Sequence, residues 1–374
     1  LLDNNLLEKG YIIMKKIAFF LPDLRCGGAE KVALLLANEF IKQGFNVDMV
    51  LSKAQGEFLS ELNSQIRIVD LKADRIRYVF KPLLKYFKSE KPDVVLASMW
   101  PLTLLAVVAF KSAKLPGSVV VSDHTTFSQA PLMQKRSMRW FFKYSLSLVY
   151  PFADAIVAVS DGVADDLCGL GGLKRKSITV IFNPVELNTD LYPEEEGFRH
   201  WESYKGKKII AVGALKKEKD YPALLEAFSL LLKKEDAYLT ILGQGDLLAD
   251  LTALAVKLEI AERVNFAGFS RNPSAWMASS DLLVLSSNCE GFGNVLIEAM
   301  SVGTPVVSTD CQSGPREILE NERYGRLVPV GDIKALANAM YKSLNDQHNI
   351  NALKSRAAYF SVDKIAKQYI GALK

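Results

Sequence analysis

The sequence predicts an α/β protein of two doubly wound domains that face each other across a cleft. Three observations predict it. Strand-like and helix-like segments alternate along the chain. The strands are continuous Val, Ile, Leu and Ala runs rather than alternating ones, so they are buried on both faces, as in parallel sheets. A stretch of loop composition at 183–206 divides the 374 residues into two βα series. That length suits two or three domains at roughly 150 residues each.

In the first series, residues 16–21 (KIAFFL) form a β-branched and aromatic strand that leads into a Gly-containing loop. Residues 29–43 read as a helix, with Val32, Leu35, Leu36, Glu39 and Phe40 at helical spacing. Short apolar strands follow at 47–51, 94–97, 119–121, 155–159 and 179–181. The break holds Asn183-Pro184, the acidic run Glu194-Glu195-Glu196 and Gly197, and residues 184–206 are the expected linker. The second series has strands at 208–212, 238–242, 264–266, 282–285 and 305–308. Segment 362–372 is an amphipathic helix. The expected units are therefore 14–183, 207–360 and a final helical segment, 361–374. Residues 1–13 lack a Met, and the first strand follows Met14-Lys15-Lys16, so 1–13 are expected to be an upstream extension.

Composition is that of an ordinary globular protein, with 49% apolar and 24% charged residues. Wholesale disorder, collagen, coiled coil and a disulfide framework are excluded. Cys26, Cys168, Cys289 and Cys311 are far apart and form no C-x-x-C pair, which predicts a reduced, cytoplasmic compartment and no zinc site. No Asp-x-Asp pair occurs, so no metal and no other cofactor is expected. The longest uncharged apolar run, 99–110, is shorter than the roughly 20 residues of a membrane span.

The net charge of +4 is too small by itself to argue for nucleic acid. It is unevenly spread. Residues 14–183 carry 23 Lys and Arg against 15 Asp and Glu, whereas 184–374 carry 22 against 25. The first half therefore suits an anionic partner. In segment 134–152, Lys135, Arg136, Arg139 and Lys143 interleave with Trp140, Phe141, Phe142 and Tyr144. A basic, aromatic helix of this kind can lie in a membrane interface, assisted by Arg75, Arg77, Lys81, Lys85 and Lys88 upstream. The alternative is a core helix with solvated basic residues. No RNA-binding motif accompanies the segment, and no nucleic-acid partner is expected. The expectation is peripheral contact with an anionic membrane.

Open parallel sheets bind ligands beyond the carboxyl ends of their strands. The strongest signal there is Glu290-Gly291-Phe292-Gly293-Asn294-Val295-Leu296-Ile297-Glu298, which follows strand 282–285. The glycines let backbone N–H groups approach a ligand. A helix starts at Asn294, and its N-terminus favours negative charge. Glu298, four residues on, shares a face with Asn294. An acid at each end of such a turn suits a ligand with two polyols flanking a phosphate. Gly27 and Gly28 close the first strand and open a helix, so their N–H groups can face a diphosphate. Lys219 lies in a basic loop after strand 208–212, where a cation can stabilise a leaving diphosphate. His124 follows strand 119–121. Arg316 and Glu317 open a helix after a Gly-Pro turn, and Ser160-Asp161 reads as a helix cap rather than a nucleophile.

The run EGFGNVLIEAM, followed by SVGTPVVSTD, resembles the signature of the family-four retaining glycosyltransferases of the GT-B type. Cys26-Gly27-Gly28-Ala29-Glu30 is similar to that family's first glycine loop. Ser122-Asp123-His124 is similar to its His-bearing loop, and Asn183-Pro184-Val185 to the start of its linker. Gly243-Gln244-Gly245, Val264-Asn265-Phe266-Ala267-Gly268, Ser313-Gly314-Pro315-Arg316-Glu317 and Tyr324-Gly325-Arg326-Leu327-Val328-Pro329 match in the same order. The resemblance runs from about residue 14 to 374.

It implies two Rossmann-like domains, the first for an acceptor and the second for a nucleotide-sugar donor, with a final helix returning to the first. It implies Glu298 on the ribose, and Glu290 with the backbone of Phe292, Gly293 and Asn294 on the sugar. Lys219, with Lys217 as a lesser candidate, would meet the diphosphate, and His124 the transferred sugar. Gly268 and Phe269 would lie near the base, Gly27 and Gly28 under the phosphate, and Arg316 at the substrate. The family commonly has an Arg five residues before Lys219, where this chain has Ala214. Lys216 or Lys217 is the available substitute, although Lys lacks the bidentate geometry of Arg.

The stretch Thr309-Asp310-Cys311-Gln312-Ser313-Gly314-Pro315 prompts a narrower likeness, to bacterial transferases of lipopolysaccharide core or polyprenyl-diphosphate-linked glycans. Their donors are usually UDP-hexoses or UDP-N-acetylhexosamines. A cytoplasmic enzyme peripheral on the inner face of the membrane is the corresponding expectation. A UDP-sugar epimerase, a soluble-acceptor transferase and a non-catalytic scaffold remain as alternatives, the last permitted by Ala214.

Overall fold

A computed structural model of the protein describes residues 15–25, 27–129, 133, 135–187, 196–202 and 204–372. The expected extension 1–13 and Cys26 lie outside the described residues. The first sheet comprises β1 (Lys16–Leu21), β2 (Asn46–Leu51), β3 (Arg67–Asp70), β4 (Val94–Ser98), β5 (Ser118–Asp123), β6 (Ala155–Ala158) and β7 (Ile178–Val180), in the order 3-2-1-4-5-6-7. The second comprises β8 (Lys207–Val212), β9 (Ala237–Leu242), β10 (Val264–Gly268), β11 (Leu282–Leu285), β12 (Val306–Thr309) and β13 (Arg326–Val328), in the order 10-9-8-11-12-13. Every pairing is parallel. Each order reverses beside its first strand, between β1 and β4 and between β8 and β11. Crevices open at such switch points.

The inner strands are buried along almost their whole length, as continuous apolar sequence demands. Two strands were not expected. β3 (RIVD) is mostly exposed, and β13 has only three residues. Both are sheet edges, where one flank is open and no apolar run is needed.

The expected linker is not loop throughout. Residues Glu196–Trp201 form a helix, and Trp201 is fully buried. A methyl group on Gly197 would lie 2.4 Å from the Trp276 backbone nitrogen, so this helix is pressed onto the second domain. At the crossing between domains, Phe182 stacks on Phe292 with centroids 5.2 Å apart, and Phe360 meets Phe182 edge-on at 5.6 Å. The Val185 N–H donates to the Phe360 carbonyl (2.9 Å), which pins the two crossing segments side by side.

The last helix, Val362–Ala372, packs on the first domain. Ile365, Ala366 and Tyr369 are buried there with Val32, Ala33 and Phe40. Among the described residues no helix is long and apolar enough to cross a membrane.

Candidate active site

The carboxyl ends of β1, β5, β8, β10, β11 and β12 and the loops after them carry the expected site residues. The centre is the turn between β11 and helix Asn294–Val302. The Glu290 carboxylate accepts from the Lys219 ammonium and from the Ser287 hydroxyl, each at 2.6 Å and both through Oε1. Both partners of the ion pair are largely shielded, with 25% of the Lys219 side chain and 11% of Glu290 exposed. Lys219 is held in place by its backbone: the Ser286 hydroxyl donates to the Lys219 carbonyl (2.7 Å), and the Asn288 N–H to the Glu218 carbonyl (2.8 Å). The Thr309 hydroxyl fixes Ser287 through its carbonyl (2.5 Å). An acid and a base thus sit together, rigidly backed, just before a helix N-terminus.

That helix begins without a side-chain cap, as does helix Gly28–Lys42 behind Gly27. The first N–H groups of helix Asn294–Val302 are free of a capping side chain and suited to an anion, whereas the Glu30 carboxylate already lies over Gly27 and accepts from its own backbone N–H at the start of the other helix. Glu298, one turn into its helix, is half-buried. Burial raises its pKa, and Lys31 and Lys219 partly offset the shift.

His124 comes from the first domain. Its Nε2 shares a hydrogen bond with the Ser122 hydroxyl (3.1 Å), which in turn lies 3.2 Å from the Tyr369 hydroxyl of the last helix. Burial pushes the imidazole down to about 4, so it is neutral at pH 7. The His124 carbonyl oxygen abuts Gly291, where a methyl group would lie only 2.0 Å away. Asn183 lies beside the imidazole and donates to Asn294 Oδ1 (3.0 Å). His124 Nδ1 and Asn183 Oδ1 are buried without a hydrogen-bond partner among the described residues.

The remaining expected residues spread around this centre. Phe292 is buried in the crossing cluster, so it offers backbone rather than ring. Lys216 and Lys217 are exposed. Lys216 acts electrostatically on Glu30, a largely buried acid at the start of helix Gly28–Lys42, and so faces the first glycine loop across the cleft. Gly268 ends β10, and the Phe269 ring after it is 54% exposed. Arg316 is drawn to Asp310 and Asn321. Ser160 caps its helix as expected, accepting from the Val163 N–H (3.1 Å). Among the described residues no group of three or more His, Cys, Asp or Glu is placed to hold a metal.

Two family profiles divide the chain: Glycosyltransferase Family 4 matches residues 26–189 and Glycosyl transferases group 1 matches residues 194–359. A Campylobacter jejuni enzyme, N-acetylgalactosamine-N,N'-diacetylbacillosaminyl-diphospho-undecaprenol 4-alpha-N-acetylgalactosaminyltransferase, is 30% identical over 371 residues, covering 95% of this chain and 98% of its own. The chain belongs to the family-four glycosyltransferases. The lipopolysaccharide core biosynthesis glycosyltransferase LpsE of Rhizobium meliloti is 26% identical, with 92% of each chain covered. Among solved structures, Anabaena HepE in complex with UDP superposes with a TM-score of 0.80 at 20% identity, covering 96% of this chain and 99% of its own. A lipopolysaccharide outer core galactosyltransferase, WaaB, in its apo form gives 0.73 at 22%, covering 96% and 98%. These neighbours establish the GT-B fold.

In a family-four glycosyltransferase the Ala214 position stands out, because the loop 213–219 reaches Glu290 through Lys219 alone among its side chains. Ser287, Thr126, Ser160 and Glu317 also touch the Glu290 turn or its surroundings, and none was expected as a site residue. Ser287 had a local signal, as a hydroxyl three residues before the acid. Ser160 and Glu317 were legible only as residues that start helices, and Thr126 had no signal of its own.

Proposed function

We propose that the enzyme transfers a hexose or N-acetylhexosamine, with retention, from a UDP-sugar to a lipid-linked glycan or lipopolysaccharide-core acceptor. The observation that carries this reading is the Lys219–Glu290 pair at 2.6 Å beside the uncapped start of helix Asn294–Val302. The activities of the Campylobacter and Rhizobium relatives support the acceptor class, and the UDP complex of HepE supports the donor.

In this reading the second domain holds the donor, with Glu298 on the ribose and Glu290 on the sugar hydroxyls. The backbone at Gly293 and Asn294 approaches the sugar, and Gly268 and Phe269 lie by the base. The bond from the anomeric carbon to the diphosphate oxygen breaks. Lys219, the Gly28 amide and the N-terminus of helix Asn294–Val302 take up the charge that develops on the diphosphate, while the Gly27 amide braces the loop by donating to the Arg25 carbonyl (2.8 Å). The acceptor hydroxyl bonds to the same carbon on the same face, and its proton passes to the departing phosphate. Neutral His124 offers a hydrogen bond to the transferred sugar without adding charge.

The acceptor enters from the first domain. Its basic helices hold the enzyme on the inner face of an anionic cytoplasmic membrane.

A thermal-shift panel of UDP-, GDP- and ADP-sugars tests the donor, since a ligand that binds only the native state raises its stability. A shift with UDP-sugars alone is the expected result. No shift with any nucleotide sugar refutes the reading. Transfer of labelled sugar to a polyprenyl-diphosphate glycan or a core oligosaccharide then separates the acceptors.

A further inference from the structure

The Glu290 turn belongs to the second domain, yet two of its carbonyls are held by the first. The Thr126 hydroxyl donates to the Glu290 carbonyl (2.8 Å), and the Ser160 hydroxyl to the Gly291 carbonyl (2.9 Å). We propose that Thr126 and Ser160 are positioning residues for the transfer reaction, and that Gly162 and Glu317 form the seam that brings them to the Glu290 turn when the domains close.

The seam is built from both sides. The Glu317 carboxylate, from the second domain, accepts from the backbone N–H groups of Asp161 (2.8 Å) and Gly162 (3.2 Å). It therefore places negative charge on the N-terminus of the first domain's helix Asp161–Gly171. Gly162 lets the backbones meet: a methyl group there would lie 2.2 Å from Ser313 Oγ and 2.6 Å from the Gln312 carbonyl oxygen. The Ser313 hydroxyl is itself 3.2 Å from Thr126, so seam and turn are one network.

Opening the cleft would strip two hydroxyls from the turn and an acid from the helix. The grip of Lys219 and Ser287 on the Glu290 carboxylate lies within the second domain and would survive. The nucleotide can therefore bind to an open enzyme. The sugar-holding turn is set only in the closed one.

Gly162→Ala tests this. Position 162 is the second residue of a helix with ordinary helical backbone, so alanine is compatible with the helix itself. Its methyl group nevertheless obstructs the seam. The expected result is retained folding, unchanged UDP affinity, a larger radius of gyration by small-angle scattering, and a kcat lower by on the order of 100-fold. Thr126→Val, which keeps shape and removes the hydroxyl, should lower kcat by about tenfold with UDP affinity unchanged.

The turnover arm rests on the transferase reading, whose own failure would show as no UDP binding by the wild type. The scattering arm needs neither donor nor acceptor. An unchanged radius of gyration in Gly162→Ala overturns the inference. So does a wild-type kcat in that variant, or a loss of UDP affinity in Thr126→Val that matches its loss of rate.

Discussion

A single carboxylate oxygen organises the site. Glu290 Oε1 takes both the Lys219 ammonium and the Ser287 hydroxyl, which leaves Oε2 for a ligand. Neither Lys216 nor Lys217 makes a hydrogen bond or ion pair to Glu290, and position 214 is alanine, so Lys219 is the cation of this loop that holds the acid. Lys219→Ala should therefore lower kcat by on the order of 100-fold, the usual cost of losing one preorganised charge at a developing anion. Steady-state kinetics with the identified UDP-sugar would read this, and an unchanged turnover would remove the role of Lys219.

Behind His124 lies a second informative acid. Asp123 is fully buried. One of its oxygens accepts from the Tyr150 hydroxyl (2.7 Å), and Oδ1 has no partner among the described residues. Burial pushes its pKa up to about 7. In the unfolded chain it ionises near the usual value of about 4. Between those values the folded protein keeps a proton that the unfolded chain releases. The stabilisation is complete below the lower value and is lost as pH rises through the upper one. Denaturant titrations at pH 5 and pH 8 should show Asp123→Asn gaining stability relative to wild type at the higher pH. Parallel behaviour of the two proteins would contradict the buried, protonated state.

At the scale of elements, the geometry around Glu290 was legible because one local unit carries it. Strand β11, a glycine turn and helix Asn294–Val302 place Glu290 and Glu298 by spacing alone. The same logic made the buried strands readable, while β3 and β13 escaped because an edge strand can be short or polar. The helix Glu196–Trp201 escaped because its six residues sit in acidic, glycine-bearing sequence and are held by packing on Trp276. The contacts of Thr126, Ser160 and Glu317 had no local sign, since they meet their partners across 164, 131 and 156 positions of chain.

The Asn294–Val302 helix also yields a test of its own. Burial keeps the Glu298 carboxyl above its usual range, while Lys31 and Lys219 draw it back towards ionisation. A ribose diol would donate to it equally in ground and transition states. Glu298→Gln should therefore raise the donor KM by about tenfold with little change in kcat. A fall in kcat at constant KM would place Glu298 at the reacting centre instead.

For the whole molecule, charge and apolar exposure converge on the first domain. Helix Arg136–Val149 buries Phe142 and Leu146 and turns Trp140 (63% exposed), Phe141, Tyr144 and Leu148 (65% exposed) outward. Lys135, Arg136, Arg139 and Lys143 are exposed on and beside the same helix. Helix Ile76–Glu90 adds exposed Ile76 and Tyr78, and Lys81, Lys85 and Lys88 line a groove with Leu84. Large apolar side chains ringed by cations are costly in water and favoured at an anionic lipid surface. Each basic residue near such a surface contributes about 1 kcal/mol. Neutralising Arg136, Arg139 and Lys143 together should therefore weaken partitioning by on the order of 100-fold. Flotation with liposomes containing anionic lipid reads this directly. Wild type should float with the vesicles at low salt and remain behind at high salt, because exposed charges are screened. The triple variant should remain behind in both. A variant with Trp140 and Leu148 changed to serine separates insertion from attraction, and should bind more weakly while keeping its salt dependence. Equal recovery of wild type and the triple variant would leave the basic helix as solvated surface and remove the membrane contact.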